Sequence, residues 1–232
     1  MPPVGAVPPP RKATAGHRSR GGGGRPGVIG ISKALIFLAA LVPFALLVRG
    51  MLEGTLGVNP AETVQLETGR WALKFLLVSL AVTPLRRLSG WNVVIQYRRM
   101  LGLFAFFYAT LHLASYWSFD LGFAVGDIPA DIVRRPFIAL GFAAFLLLLP
   151  LALTSTRGWI RRLGKRWTVL HRLVYAAGIC AVLHFAWKVK VFTGDAVIYA
   201  LVLTLLLGFR VAWYLRQRAR TRHAAARTLS VL

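Results

Sequence analysis

Residues Arg98–Tyr116 read RRMLGLFAFFYATLHLASY: two arginines, then an apolar run holding one histidine, His112. The run shows no period-two alternation. Its length is close to the ~20 residues that carry a helix across the hydrocarbon core of a bilayer. Backbone polar groups can cross hydrocarbon only in a helix or a closed barrel, and the missing alternation removes the barrel. Working outward from this run, whose apolar part is Met100–Phe119, five more of the same kind appear. They are Ser32–Val48, Trp71–Leu88, Phe137–Thr154, Thr168–Trp187 and Ala196–Leu215. The chain of 232 residues is 56% hydrophobic, above the roughly 45–50% that a broader apolar count gives for soluble domains. The expected fold is therefore all-α, an integral membrane bundle of six transmembrane helices.

A net charge of +22 raises the question of nucleic acid. The placement of the charges answers it. With the N-terminus inside, basic residues crowd the inner connections: the arm through Lys33, then Arg86, Arg87, Arg98 and Arg99, then Arg157–Arg172, then Arg210–Arg227. The outer connections carry only Arg49, Arg70, Arg134, Arg135, Lys188 and Lys190. This is the positive-inside pattern, with both termini cytoplasmic. The partner it implies is the lipid bilayer, not nucleic acid. All seven acids, Glu53, Glu62, Glu67, Asp120, Asp127, Asp131 and Asp195, fall on the outer side. The tryptophans lie near segment ends, where amphipathic rings favour the interface.

Three regions follow. Residues 1–29 form a basic Pro/Gly-rich arm with four glycines at Gly21–Gly24, a composition that cannot bury a core and predicts a disordered cytoplasmic segment. Residues 30–216 form the membrane domain, and 217–232 a basic cytoplasmic tail. The connections are too short for a flavin or nucleotide domain, and no GxGxxG or Walker pattern is present. Such a domain is expected on another polypeptide. No internal duplication is evident. The single cysteine, Cys180, excludes an intrachain disulfide and reads as a small core residue.

His112, His171 and His184 are the histidines inside apolar segments. An intramembrane histidine needs a partner or a task, and neutral imidazole is a common ligand of haem iron. Depth is counted from the inner arginines at about 1.5 Å per residue. His112 then stands roughly 20 Å past Arg99, His184 roughly 27 Å past Arg166, and His171 only roughly 8 Å past Arg166. His112 and His184 form the outer pair, suited to the two axial positions of one b-type haem. His171 lies near the inner face with no partner in view. The small residues Ala176, Ala177, Gly178 and Ala181 would let a flat ring approach the backbone. His171 and His184 are 13 positions apart, about 140° off a common helix face. Aiming both at one seam needs a distortion near Gly178, or haems docked on flanking surfaces. Inner arginines, namely Arg98, Arg99, Arg166 and Arg172, are candidate contacts for haem propionates or a flavin phosphate.

Four stretches together resemble a known family: Arg98–Tyr116, RPF at Arg135–Phe137, LALTSTRGWIRRLGKRWTVLHRLVY at Leu151–Tyr175, and HFAWKVK at His184–Lys190. They are similar to the haem-binding membrane subunits of protein-methionine-sulfoxide reductase systems, the MsrQ (or YedZ) family, within the ferric-reductase-like transmembrane superfamily. The resemblance spans roughly residues 30–215. It implies six helices in a bacterial inner membrane, haem b (one or two), and an FMN. It also implies electrons drawn from the quinone pool or a cytosolic flavin reductase. They pass to a periplasmic molybdopterin enzyme, MsrP, that repairs oxidised methionine in envelope proteins. Methionine-sulfoxide reduction itself would occur on that partner. The family's haem-associated histidines match His112, His171 and His184. Two-haem members of the superfamily carry a second histidine 14 positions before the outer one, where this chain has Arg98, so the haem number stays open.

Two other functions fit part of the pattern. A ferric or other metal-ion reductase subunit would use the same helices but needs a donor domain. A proton channel or transporter would use the histidines as a relay, yet no acid lies deep in a span.

Overall fold

The computed structural model describes residues 26–189 and 194–229, and side chains over 27–189 and 194–222. The arm expected over 1–29 falls outside these residues except for its last four, which open the first helix. Helices are α1 (Pro26–Glu53), α2 (Pro60–Ser89), α3 (Arg98–Ser115), α4 (Ile128–Arg134), α5 (Phe137–Leu153), α6 (Arg157–Leu163), α7 (Lys165–Leu170), α8 (Leu173–Val189) and α9 (Gly194–Leu229). No strand occurs among the described residues. The tail expected from residue 217 continues α9 without a break as far as Leu229.

Local chemistry sets the ends of α2. Asn59 caps it, its side-chain oxygen accepting from the Glu62 N–H at 3.2 Å, with Pro60 in the first turn. Gly90 closes it at φ 73°, a left-handed conformation that costs glycine nothing. Between these ends α2 is the central element. Leu73, Leu76, Leu77 and Leu80 are buried against Ala105 of α3, Leu148 and Leu151 of α5, Val174, Ala177 and Val182 of α8, and Leu203 of α9. Ala105 and Ala177 are both 0% exposed. Each is a small residue that lets its helix close on α2 and α5, as packing within lipid requires.

The outside of the bundle is apolar. Val28, Ile31, Leu35, Leu38, Val42 and Leu46 stand exposed along α1, and Leu201 and Leu205 along α9. Such a surface far exceeds the patches a soluble monomer shows and suits hydrocarbon. Among the described residues, four helices are long and apolar enough to cross a membrane: Gly27–Glu53, Arg98–Asp120, Lys165–Val189 and Gly194–Arg222. Counting Phe137–Leu153 with Arg157–Leu163, bent 93° from it, as one broken span raises the number to five. The Trp71–Leu88 run lies within α2, which is long enough but carries Arg70, Lys74, Arg86 and Arg87. Its burial by the other helices removes the need for a wholly apolar surface.

Candidate haem site

His112 and His184 face one another near the ends of α3 and α8, their ring centres 6.0 Å apart and their planes at 74°. His112 Nδ1 lies 2.8 Å from the carbonyl oxygen of Gln65 on α2. His184 Nδ1 lies 2.7 Å from the carbonyl oxygen of Phe137 on α5. A carbonyl can only accept, so in a neutral imidazole the proton sits on Nδ1 and the Nε2 lone pair is free. That is the tautomer in which a histidine binds metal, with its second nitrogen anchored to the protein.

Glycines make the approach feasible. A Cβ added to Gly69 would sit 3.1 Å from His112 Cε1 and Nδ1. One added to Gly141 would sit 2.9 Å from the same atoms of His184. Each imidazole therefore lies flush against bare backbone, its Nδ1 edge on α2 or α5. Both rings line a cleft between α2, α3, α5 and α8. Leu73, Leu76, Ala109, Phe145, Leu148 and Ala181 form its apolar walls. At the mouth stand Arg70, Asp120, Arg135 and Lys188.

These features fit haem. Two imidazoles on opposite sides of one metal, each nitrogen about 2 Å away, put their ring centres roughly 6 Å apart. The walls are apolar. The mouth carries cations suited to carboxylates, and Arg70 supplies an orphan: its Nε is buried without a partner, while Nη1 donates to Glu67 at 2.8 Å. No cluster of three or more His, Cys, Asp and Glu capable of holding a bare metal ion occurs among the described residues.

The two half-sites are copies in structure. Gln65 and Phe137, Gly69 and Gly141, Ala105 and Ala177, and His112 and His184 are separated by the same 72 positions. Leu101, Ala105, Ala109, Leu111 and His112 recur as Leu173, Ala177, Ala181, Leu183 and His184. This repeat overturns the expectation that the chain carries no internal duplication: it is confined to scattered packing and ligand positions, so hydrophobic periodicity does not display it.

His171 is not part of this pair. It ends α7, its ring stacked on Trp167 with centres 3.8 Å apart and Nδ1 3.1 Å from the Trp167 carbonyl oxygen. The helix breaks at His171–Arg172, between α7 and α8. The expected distortion thus falls there and not at Gly178, which lies within α8. A Cβ on Gly178 would sit 3.3 Å from Leu203 and 3.6 Å from Leu80, so this glycine serves helix packing. Ala177 is likewise core and Ala176 exposed, leaving Ala181 as the one of the four small residues that lines the cleft. The expected anion contacts also stand apart from the cleft. Arg98 is half-buried, within electrostatic reach of His171. Arg99, Arg166 and Arg172 are exposed. The cations at the cleft are Arg70, Arg135 and Lys188, which the charge pattern had assigned only to topology.

Arg135 is held in a small network. Its Nε donates to Asp131 at 2.8 Å, a second nitrogen pairs with the same carboxylate, and Nη1 reaches Asp120 at 3.3 Å. Tyr116 donates to Asp131 at 2.6 Å. The Arg135 hydrogen bond, foremost, holds the Asp131 carboxyl below its ordinary range. A depressed carboxyl contributes stability above its unfolded pKa and loses it as pH falls through the folded value. Asp131→Asn is expected to lower the thermal midpoint at neutral pH, by an effect of about 1 kcal/mol. The difference from wild type should shrink below about pH 4, and melting in detergent across pH checks it.

The model of the ferric reductase like transmembrane component matches residues 68–182, which include His112 and end two positions before His184. A haem-binding subunit MsrQ of protein-methionine-sulfoxide reductase from Xanthomonas oryzae is 48% identical over 198 residues, covering 83% of this chain and 90% of the relative. The chain belongs to the MsrQ family. Equivalent MsrQ subunits from Xanthomonas axonopodis and Herminiimonas arsenicoxydans are 50% and 48% identical, covering 82% and 81% of the chain and 90% and 88% of the relatives. The MsrQ matches thus extend over most of the membrane domain.

Proposed function

We propose that this chain is a six-span b-type cytochrome of a bacterial inner membrane, with both termini cytoplasmic, that carries electrons outward through haem. The observation supporting it is the facing pair His112 and His184, both fixed through Nδ1 with Nε2 free. These two would be the axial ligands, and Arg70, Arg135 and Lys188 would hold the propionates at the cleft mouth. Bound haem supplies one-electron chemistry; the protein residues position it and exclude water. The donor is quinone or a cytosolic flavin reductase. The acceptor is the periplasmic molybdopterin subunit MsrP, where methionine sulfoxide is reduced. FMN belongs to the same proposal, as does a second haem on His171 with Arg98 beside it.

A pyridine haemochrome titration of the purified protein tests the reading. One or two b haems per chain are expected, and a preparation that takes up no haem when haem is supplied in excess overturns it. Topology is tested separately. Alkaline phosphatase fused after Leu232 should be inactive and fused within Asp120–Arg134 active, because the basic connections stay inside. The reverse pattern would exclude the proposed orientation.

A further inference from the structure

At the end of the bundle away from the histidine cleft, α9 carries an arginine within its apolar stretch. Arg210 lies about 24 Å along the helix from Gly194. Its side chain does not run out to water. Nη1 donates to the Tyr175 hydroxyl on α8, and Nη2 donates to the Leu80 carbonyl oxygen on α2 at 2.9 Å. The guanidinium lies over the Tyr175 ring, 4.9 Å from its centre. One turn further, Trp213 takes the Arg87 guanidinium on its face at 4.6 Å. Leu80, Thr83 and Arg87 share one face of α2, so Arg87 and Arg210 enter the same seam. Arg98 stands within electrostatic reach of Arg210.

This seam collects positive charge with nothing to balance it. All seven acidic side chains of the protein belong to the other end of the bundle. Guanidinium groups drawn partly out of water into one seam are costly unless an anion joins them. Three buried polar atoms here also lack a hydrogen-bond partner among the described residues: Thr83 Oγ1, Arg210 Nε and Trp213 Nε1. The two nitrogens are donors, which only an acceptor can satisfy.

We propose that Arg87, Arg210 and Trp213 form a binding site for a phosphate group. The planar fork of arginine matches an oxyanion in two-point contact, and the indole N–H adds a third donor. The phosphate belongs either to an anionic phospholipid or to a small phosphomonoester; the recognising chemistry is the same. The site is separate from the histidine cleft and does not depend on haem binding there.

The full-length protein is placed in nanodiscs of phosphatidylcholine, with or without phosphatidylglycerol, and its thermal midpoint is measured. FMN, inorganic phosphate and, as the phosphate-free control, riboflavin are titrated into the phosphatidylcholine discs. A saturable rise is expected with phosphatidylglycerol, or with FMN and phosphate but not riboflavin. The first result identifies a lipid headgroup and the second a soluble phosphomonoester. Arg87→Gln should weaken that response by about tenfold or more while the haem absorption spectrum stays unchanged. Arg210→Gln should do the same, but Arg210 also bridges three helices, so Arg87→Gln decides the matter. The proposal is overturned if no phosphate-bearing probe stabilises the wild type, or if Arg87→Gln responds as the wild type does.

Discussion

His112→Ala protein is expected to lose the haem of the cleft, and His184→Ala protein to lose it equally. Groups that merely support a metal ligand cost about 10–100-fold in affinity when removed, so removal of a ligand itself should cost at least that. The reduced-minus-oxidised spectrum, normalised to protein, reads the loss directly. His171→Ala should leave the cleft haem in place, because His171 is bonded and stacked within its own turn at Trp167. If a second haem exists, only that one should disappear from the haemochrome count. A loss of colour through unfolding is separable. Alanine at position 112 removes one donor from the Gln65 carbonyl, which still accepts from Thr68 Oγ1 at 3.1 Å, and leaves a gap in the packing, whereas His112→Gln keeps an N–H near that carbonyl and cannot ligate iron well. Both variants should be colourless at this site. If His112→Gln, well folded by circular dichroism, kept the unaltered spectrum, the axial assignment would fail.

The fold was legible wherever hydrophobic runs were continuous. Each of the six runs falls on a helix or a helix pair, with Met100–Phe119 reaching four residues past the end of α3 and Phe137–Thr154 one past that of α5, because a backbone in hydrocarbon has few alternatives. What the runs did not show was their ends. The break at His171–Arg172 occurs inside the Thr168–Trp187 run, where nothing in the hydrophobic pattern marks it, whereas the bend after Leu153 falls on Thr154-Ser155-Thr156, weak helix formers at the end of their run. The pairing of His112 with His184 followed from depth counting, even though the two depths differed by several ångströms, since tilt absorbs that much. The glycines were harder. Gly69 and Gly141 look like ordinary small residues in apolar helices, and only the closeness of an imidazole gives them a role. The mouth cations were hidden for another reason. Arg70, Arg135 and Lys188 sit at segment ends where topology alone explains a charge, so nothing local distinguishes a propionate contact from an anchor.

Those glycines give the second large effect. Gly141→Ala adds a Cβ 2.9 Å from His184 Cε1 and Nδ1, closer than real Cβ atoms approach. The imidazole must move or α5 must retreat. Retreat is opposed by the packing of Leu148 and Leu151 into the core. The ring therefore gives way, and with it the 2.7 Å bond to the Phe137 carbonyl that fixes the tautomer. Overpacking of this kind costs about 1–3 kcal/mol, and a misplaced imidazole should weaken haem binding by about 10–100-fold. Gly69→Ala is the internal comparison: its Cβ meets His112 at 3.1 Å, a contact that a small ring shift relieves. Haem loss is expected to be greater for Gly141→Ala than for Gly69→Ala, and greater still when valine replaces alanine at either position. Haem-to-protein ratios and the low-spin signals in electron paramagnetic resonance would rank the four variants. Equal and full haem content in all four would show that the imidazoles do not ligate from the positions seen here, because a ligand pressed against backbone cannot tolerate a side chain between.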